Sequence, residues 1–288
     1  MITFGPVPSR RLGRSLGINN IPPKICTYSC VYCQLGRTIK MQVERRPFHD
    51  QWEILKTVQD KVKKAREKGE SIDYLTFVPD GEPTLDIHLG REIEILRSLG
   101  IKIAVITNTS LIWREDVRED LMKADCVSLK IDSMQEGIWR KIDRPYGTLQ
   151  LDLILDRMIE FAKAYQGEFL TETMLVEGVN DSKVLVSEIA EFLAQLRPTR
   201  AYLSIPTRPP AEKWVEGPAE EIIHRAYHIL HERIDQVEYL IGYEGNAFAS
   251  TGNVEEDLLS ITSVHPMREE AVSEFLREPG LIGRWFKG

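Results

Sequence analysis

The chain has 288 residues, 42% of them hydrophobic and 28% charged, with a net charge of −7 and four cysteines. That length supports one α/β barrel or two small domains, and that balance describes a folded core rather than a disordered or fibrous chain. No charged stretch leads into a long apolar run, and nowhere do about 18 apolar residues follow one another, so neither a secretory leader nor a membrane span is expected and the sequence reads as cytoplasmic. The charge is uneven: residues 1–46 carry eight Arg and Lys against Glu44 alone. Such a basic rim would concentrate anionic ligands, whether RNA, phosphorylated metabolites or an acidic electron carrier, unless ion pairs with the acidic remainder consume it.

In chain order, residues 15–21 are predicted as the first strand, running into Pro22-Pro23 and a cysteine-bearing loop. Pro47 opens a helix in which Trp52, Leu55, Val58, Val62 and Ala65 recur at helical spacing, and Gly69 closes it. Residues 74–78 form a short apolar strand before the turn Pro79-Asp80-Gly81-Glu82-Pro83. A helix over 88–99, a strand over 101–107, a helix near 114–124 and a strand over 126–131 come next. Helices near 134–141 and 148–165 precede a strand over 169–176. A helix over 182–196, a strand over 201–205, a helix opened by Pro218 and residues 237–241, a seventh strand or a barrel cap, complete the alternation. Strands alternating with amphipathic helices predict a parallel sheet that right-handed crossovers curl the same way. The fold class is α/β: a partial (β/α)6 TIM-like barrel over residues 1–245 with a small helical extension over 246–288.

Reactive groups in such barrels gather at the carboxyl ends of the strands. The cysteine loop, the Asp80-Gly81-Glu82 turn, Asn108, Asp132, residues 177–180 and Thr207-Arg208 all follow strands and are expected on one rim. Alternation in the strand 126–131 puts Ser128, Lys130 and Asp132 on the same face as Cys126. A polar face in a buried parallel strand needs partners, so it is expected to face the lumen; an internal ion pair of Lys130 with Asp132 or Glu172 is the plainer use. Glu172, mid-strand between Thr171 and Thr173, is a further lumen candidate. At about 3.3 Å per residue, Cys126 falls roughly 20 Å below Asp132 and reads as a small buried apolar residue. His224, His228 and His231 recur at helical spacing, but the stripe Ile223, Tyr227, Leu230 and Ile234 marks the core side, so they read as a solvated face.

Cys26, Cys30 and Cys33 fall within eight residues. Thiolates so spaced can wrap one face of an iron–sulfur cluster from a single loop. A zinc site would call for a fourth Cys or His, with His49 the nearest in sequence, and a disulfide suits three close cysteines poorly.

The spacing CxxxCxxC, with Tyr32 just before the last cysteine, resembles the signature of the radical S-adenosylmethionine (SAM) superfamily. The resemblance implies a [4Fe-4S] cluster on Cys26, Cys30 and Cys33, with the open iron chelated by the amino and carboxylate groups of SAM. One electron, from a low-potential donor such as flavodoxin or ferredoxin, then cleaves SAM to methionine and a 5′-deoxyadenosyl radical that abstracts hydrogen from a substrate. Gly81 and Glu82 resemble the end of the superfamily's Gly-Gly-Glu turn, which implies contact with the SAM amino group; Asp80 stands where the first glycine is usual. Family members place polar residues on the strand face 126–132 for SAM, which implies contacts for Ser128, Lys130 and Asp132; Tyr32 and Asn108 are further cofactor-binding candidates, as is Glu172, positioned to bind substrate or order the SAM site. Residues 177–181 look like a Gly-Val-Asn-Asp turn that shapes the adenine pocket, with Val176 and Gly178 alongside, though the same residues can simply cap a helix.

The longer runs 5–19 and 34–38 look like one subgroup grouped with the tRNA wyosine-synthesising enzymes. Those enzymes carry a second cluster on further cysteines, which Cys126 alone cannot supply, so a tRNA base is an analogy. The expected function is hydrogen abstraction from an unidentified substrate, a small metabolite or a peptide with an anionic molecule among the options, and the alternatives are radical modification of a tRNA base or a non-catalytic iron–sulfur redox sensor or partner-binding protein. From residue 254 onward two helices, over 254–263 and 266–276, resemble the start of a winged helix. Four basic residues there against seven acidic ones oppose DNA binding, and docking, dimerisation or lid closure is expected instead.

Overall fold

Residues 1–241, together with 258, 259, 262 and 269–277, are described by the computed structural model. One open sheet organises them, in the strand order β1-β2-β5-β6-β7-β8-β9-β10. The strands are β1 (Thr3–Ser9), β2 (Gly13–Ile18), β5 (Tyr74–Phe77), β6 (Lys102–Thr107), β7 (Cys126–Lys130), β8 (Glu168–Met174), β9 (Arg200–Ser204) and β10 (Val237–Tyr239). From β2 to β10 every pairing is parallel, which makes seven parallel strands in a sheet that does not close. The short pair β3 (Ile25–Cys26) and β4 (Lys40–Met41) brackets the cysteine loop.

The expected six-unit partial barrel is therefore present, and residues 237–239 resolve as a seventh strand rather than a cap. In the main sheet, the strand absent from the sequence reading is β1, which pairs antiparallel with β2. Pro6 and Pro8 made this stretch read as loop, but an edge strand needs no donor on its outer side and tolerates proline. The first parallel strand accordingly begins at Gly13, ahead of the expected position.

Alternation sorts each strand into two faces. Leu75, Phe77, Ile103, Val105, Val127, Leu129, Ala201 and Leu203 point outward into the main core beneath the helices. The inward residues Tyr74, Ala104, Cys126, Leu170 and Tyr202 form an apolar floor, completed by Leu12 from the β1–β2 turn and by Leu240. One pleat higher, at about 6–7 Å, the inward positions become Thr76, Ile106, Ser128, Glu172 and Ser204, which line an open cavity. Cys126 thus belongs to the floor and is 1% exposed.

The helices are α1 (Gln51–Glu67), α2 (Leu89–Leu96), α3 (Glu115–Leu121), α4 (Glu136–Ile142), α5 (Leu151–Ala164), α6 (Lys183–Leu196) and α7 (Glu220–His231). Local chemistry fixes several ends. The Asp50 carboxylate accepts from the Trp52 and Glu53 amides at the start of α1, and the Ser182 hydroxyl accepts from Leu185 N at the start of α6. Thus α1 begins later than Pro47, at the residue its cap dictates. A final helix α8 (Glu269–Arg277) lies within the expected extension, whereas most of the helix expected over 254–263 falls outside the described residues. Among the described residues no helix is long and apolar enough to cross a membrane.

Candidate radical SAM site

The cysteine loop leaves β3 at Cys26 and is stapled to the segment following α4. Val31 N donates to Ile142 O at 2.8 Å, Tyr146 N to Thr27 O at 2.9 Å, and Tyr28 bridges to Pro145. Beneath it, Trp139 Nε1 donates to the Tyr28 hydroxyl at 3.1 Å and the two rings meet edge to face. Within the loop, Cys33 N donates to Cys30 O and Gly36 N to Cys33 O, closing two successive turns. The three thiols are half-buried, make no disulfide and line one cavity of about 870 Å³.

The turn after β5 packs directly on this loop. Lys24 N donates to Asp80 O at 2.6 Å and Glu82 N to Ile25 O at 3.2 Å. A Cβ on Gly81 would lie 2.0 Å from Ile25 O, so only glycine lets the two chains approach. The Glu82 carboxylate, 1% exposed, accepts from the Thr84 and Thr107 hydroxyls at 2.6 Å each, from Thr84 N at 3.1 Å and from Asn108 N at 2.8 Å. Burial nevertheless raises its proton affinity. Glu82 therefore knots the end of β5 to the end of β6. Asn108 continues the knot: Nδ2 donates to Thr27 Oγ1 at 2.8 Å and to Cys26 Sγ at 3.4 Å, while Oδ1 accepts from Ser110 N at 3.0 Å.

Burial pushes the Cys26 thiol up to about 12, with the Glu82 charge adding to it. Burial likewise raises Cys30, helped by the Asp143 charge, and Cys33. Three half-buried thiols of raised proton affinity become thiolates only beside a strong cation. Among the described residues no three Cys, His, Asp or Glu groups are gathered for a single metal ion. His49 does not line the cavity. An all-sulfur donor set on one cavity wall fits an iron–sulfur cluster, which spans more space than one ion.

Behind the loop, Tyr32 OH lies 2.5 Å from Asp132 Oδ2 and 3.0 Å from Asp143 Oδ1, and Cys30 Sγ lies 3.3 Å from the same Asp143 oxygen. One hydroxyl proton cannot serve both carboxylates. Burial raises both carboxyls, and the Asp132 charge adds to the rise of Asp143, which is pushed well above the carboxylate range. Lys130 Nζ sits 4.8 Å from the Tyr32 ring centre and 3.4 Å from Glu172 Oε1. Burial alone would lower the Lys130 ammonium, but Asp132 and Glu172 outweigh it and hold the side chain protonated. Glu172 in turn would be raised by burial, and Lys130 and Arg11 hold it well below the usual range. The internal Lys130–Glu172 ion pair and the lumen position therefore hold together.

Of the residues singled out in the sequence, Cys26, Tyr32, Cys30, Cys33, Gly81, Glu82, Asn108, Ser128, Lys130 and Glu172 share the one cavity wall. Asp132, Val176 and Gly178 do not line it. Val176 is fully buried and packs with Val31, Ile142, Val179 and Val215 behind the cysteine loop. Gly178, at φ +64°, donates to Asp181 Oδ2. Asn180 ties the ends of β7 and β8 together through Asp132 O, Met174 O and Val176 N. Asp132 Oδ1 accepts from Met174 N at 2.8 Å. His224, His228 and His231 are exposed, as expected of a solvated face.

Glu212 was not visible as a site residue. The strap of residues 205–219 follows β9, its residues 205–209 line the cavity, and Glu212 accepts from Arg37 Nε at 2.9 Å, Arg37 Nη2 at 3.1 Å and Arg144 Nη1 at 2.5 Å. Its amide donates to Val31 O at 3.0 Å, so the strap is bolted to the cysteine loop. Asp143 and Trp139 were missed for the same reason: each meets its partner across the fold, and no local pattern marks them; Arg11 was legible only as part of the basic rim.

Residues 20–193 match the Radical SAM superfamily model, and the chain belongs to that superfamily. The family implies a [4Fe-4S] cluster and SAM as cofactors. UPF0026 protein MJ1312 of Methanocaldococcus jannaschii is 52% identical over 282 residues, covering 97% of this chain and 87% of that protein. A Helicobacter pylori UPF0026 protein is 33% identical, covering 77% and 71%. Among solved structures, TYW1 with a lysine–pyruvate adduct bound superposes with a TM-score of 0.59 at 16% identity, covering 77% of this chain and 74% of that one. That likeness is one of fold.

Proposed function

We propose that the chain uses Cys26, Cys30 and Cys33 to hold a [4Fe-4S] cluster, cleaves SAM reductively and abstracts hydrogen from a small anionic substrate in the same cavity. The observation that carries this reading is the meeting of three thiols, the Gly81 turn and the Lys130–Glu172 pair on one wall. The cluster, when bound, supplies the electron that splits SAM into methionine and the 5′-deoxyadenosyl radical. Everything else falls to the protein. Asn108 donates an N–H to the Cys26 sulfur, and Glu82 fixes both Asn108 and the Gly81 turn, whose backbone faces the SAM amino group. Lys130, held protonated on the cavity lining, would meet the SAM carboxylate. Ser128 offers a hydroxyl to the ribose. Residues 205–209 of the strap line the cavity, and a low-potential flavodoxin or ferredoxin supplies electrons from outside.

A small substrate is favoured over RNA because part of the basic run is held in ion pairs. Arg45, with its side chain 3% exposed, is locked to Asp116 and Asp120; Arg11 turns inward to Glu172; and Arg37 holds Glu212. The test is anaerobically reconstituted protein with SAM and a strong reductant, challenged separately with small-metabolite, peptide and total-tRNA fractions. Acceleration of 5′-deoxyadenosine release by the metabolite fraction is expected, and acceleration by tRNA alone would overturn the choice of substrate.

A further inference from the structure

The β1–β2 turn does more than close the floor. It sends Arg11 into the lumen, where Nη1 pairs with Glu172 Oε2 on a strand 161 residues away. The other oxygen of the same carboxylate, Oε1, accepts from Lys130 Nζ at 3.4 Å and from Ser204 Oγ at 2.9 Å. Glu172 therefore holds two cations side by side, one carboxylate width apart. Each keeps unspent donors. Arg11 Nε and Nη2 make no hydrogen bond among the described residues, are not sealed in the interior, and the side chain is 20% exposed on the cavity wall. A guanidinium with free N–H groups in fork geometry suits an oxyanion, which it can grip through two bonds at once.

From this arrangement we infer that Arg11 is the substrate's oxyanion anchor: the cavity takes a small molecule whose carboxylate or phosphate group docks on the Arg11 fork at the floor. Glu172 is the positioning residue that aims the fork, and Leu12 and Leu240 form the apolar floor beside it. The anionic end sits deep, which points the remainder of the molecule up the lumen toward Tyr32 and the cysteines. Ser204 and Ser128 offer hydroxyls on the way. A macromolecule would have to thread a phosphate to the barrel floor, so the geometry selects a metabolite-sized ligand. The inference rests on the proposed function only in calling the anchored molecule a substrate.

The test uses reconstituted full-length protein with saturating SAM and isothermal titration with malonate, inorganic phosphate and the neutral malonamide. Wild type is expected to bind malonate or phosphate saturably and at least tenfold more tightly than malonamide. Whichever anion binds more tightly identifies the natural group as carboxylate or phosphate. Arg11→Gln should erase the preference for anion over amide, Arg11→Lys should retain part of it, and Arg14→Gln, on the same hairpin but outside the cavity, should leave it within twofold. Equal binding of malonate, phosphate and malonamide by wild type, or an unchanged preference in Arg11→Gln, overturns the anchor. If anions bind through Arg11 but no 5′-deoxyadenosine is ever released, the anchor stands and the enzymatic reading falls. Release of 5′-deoxyadenosine without anion binding gives the reverse.

Discussion

Asn108 sits where backbone geometry and cluster chemistry meet. Its two amide hydrogens are divided between Thr27 Oγ1 and Cys26 Sγ, and its own amide is held by Glu82. Hydrogen bonds to a cluster sulfur stabilise the reduced state and raise the reduction potential. Asn108→Ala should therefore retain iron but shift the cluster to a more negative potential in a redox titration; an unchanged potential would remove Asn108 from cluster tuning. Gly81 makes a different kind of prediction. With Ile25 O only 2.0 Å from a would-be Cβ, Gly81→Ala must push the turn off the cysteine loop. Urea unfolding of the cluster-free protein should show a loss of about 2–3 kcal/mol, typical of a forced close contact. The cysteines and Gly81 were legible in the sequence because their spacing and residue type carry the chemistry. The use of the Glu82 carboxylate as a brace was not, since its four donors come from Thr84, Thr107 and Asn108 only after β5 and β6 align.

At the scale of elements, the strap and α2 each concentrate strain or charge. Glu212 joins the strap to Arg37 on the cysteine loop, 175 residues away, and to Arg144 after α4. Glu212→Ala should free the strap, giving several-fold faster iron loss to a chelator and new proteolytic cuts within residues 205–219. Equal rates would show that apolar packing of Val215 on Val31 suffices. On α2, Glu92 is fully buried, and burial followed by the Asp86 charge pushes its carboxyl up to about 9. The folded protein thus holds a proton that the unfolded chain, with an ordinary Glu near 4.3, releases. Between those two values stability must fall as pH rises. Thermal melts should show that decline between pH 6 and 9, and Glu92→Gln should flatten it and add about 2 kcal/mol at pH 8. Alternation made β5 to β9 legible to within a residue or two, because a buried strand repeats every second position. The hairpin strand β1 was not, because Pro6 and Pro8 suppress the strand signal and only the missing outer neighbour makes them acceptable.

For the whole molecule, the division of labour follows the sheet. Outward residues build the core, the lower inward layer seals the floor, and the upper inward layer with the following loops supplies the chemistry. The basic amino-terminal run read as a rim for anions, but folding draws Arg11, Arg37 and Arg45 into ion pairs, a long-range outcome that charge counting cannot anticipate. Of that run Arg10, Arg11 and Lys24 line the cavity, and Arg11 is aimed into the lumen at Glu172. The measurement that bears most directly on this account is 5′-deoxyadenosine release by anaerobically reconstituted wild type and Cys30→Ala given SAM and a strong reductant. The account predicts release from wild type and none from Cys30→Ala. Stoichiometric zinc in place of iron, or no SAM cleavage by wild type despite a full cluster, would contradict it.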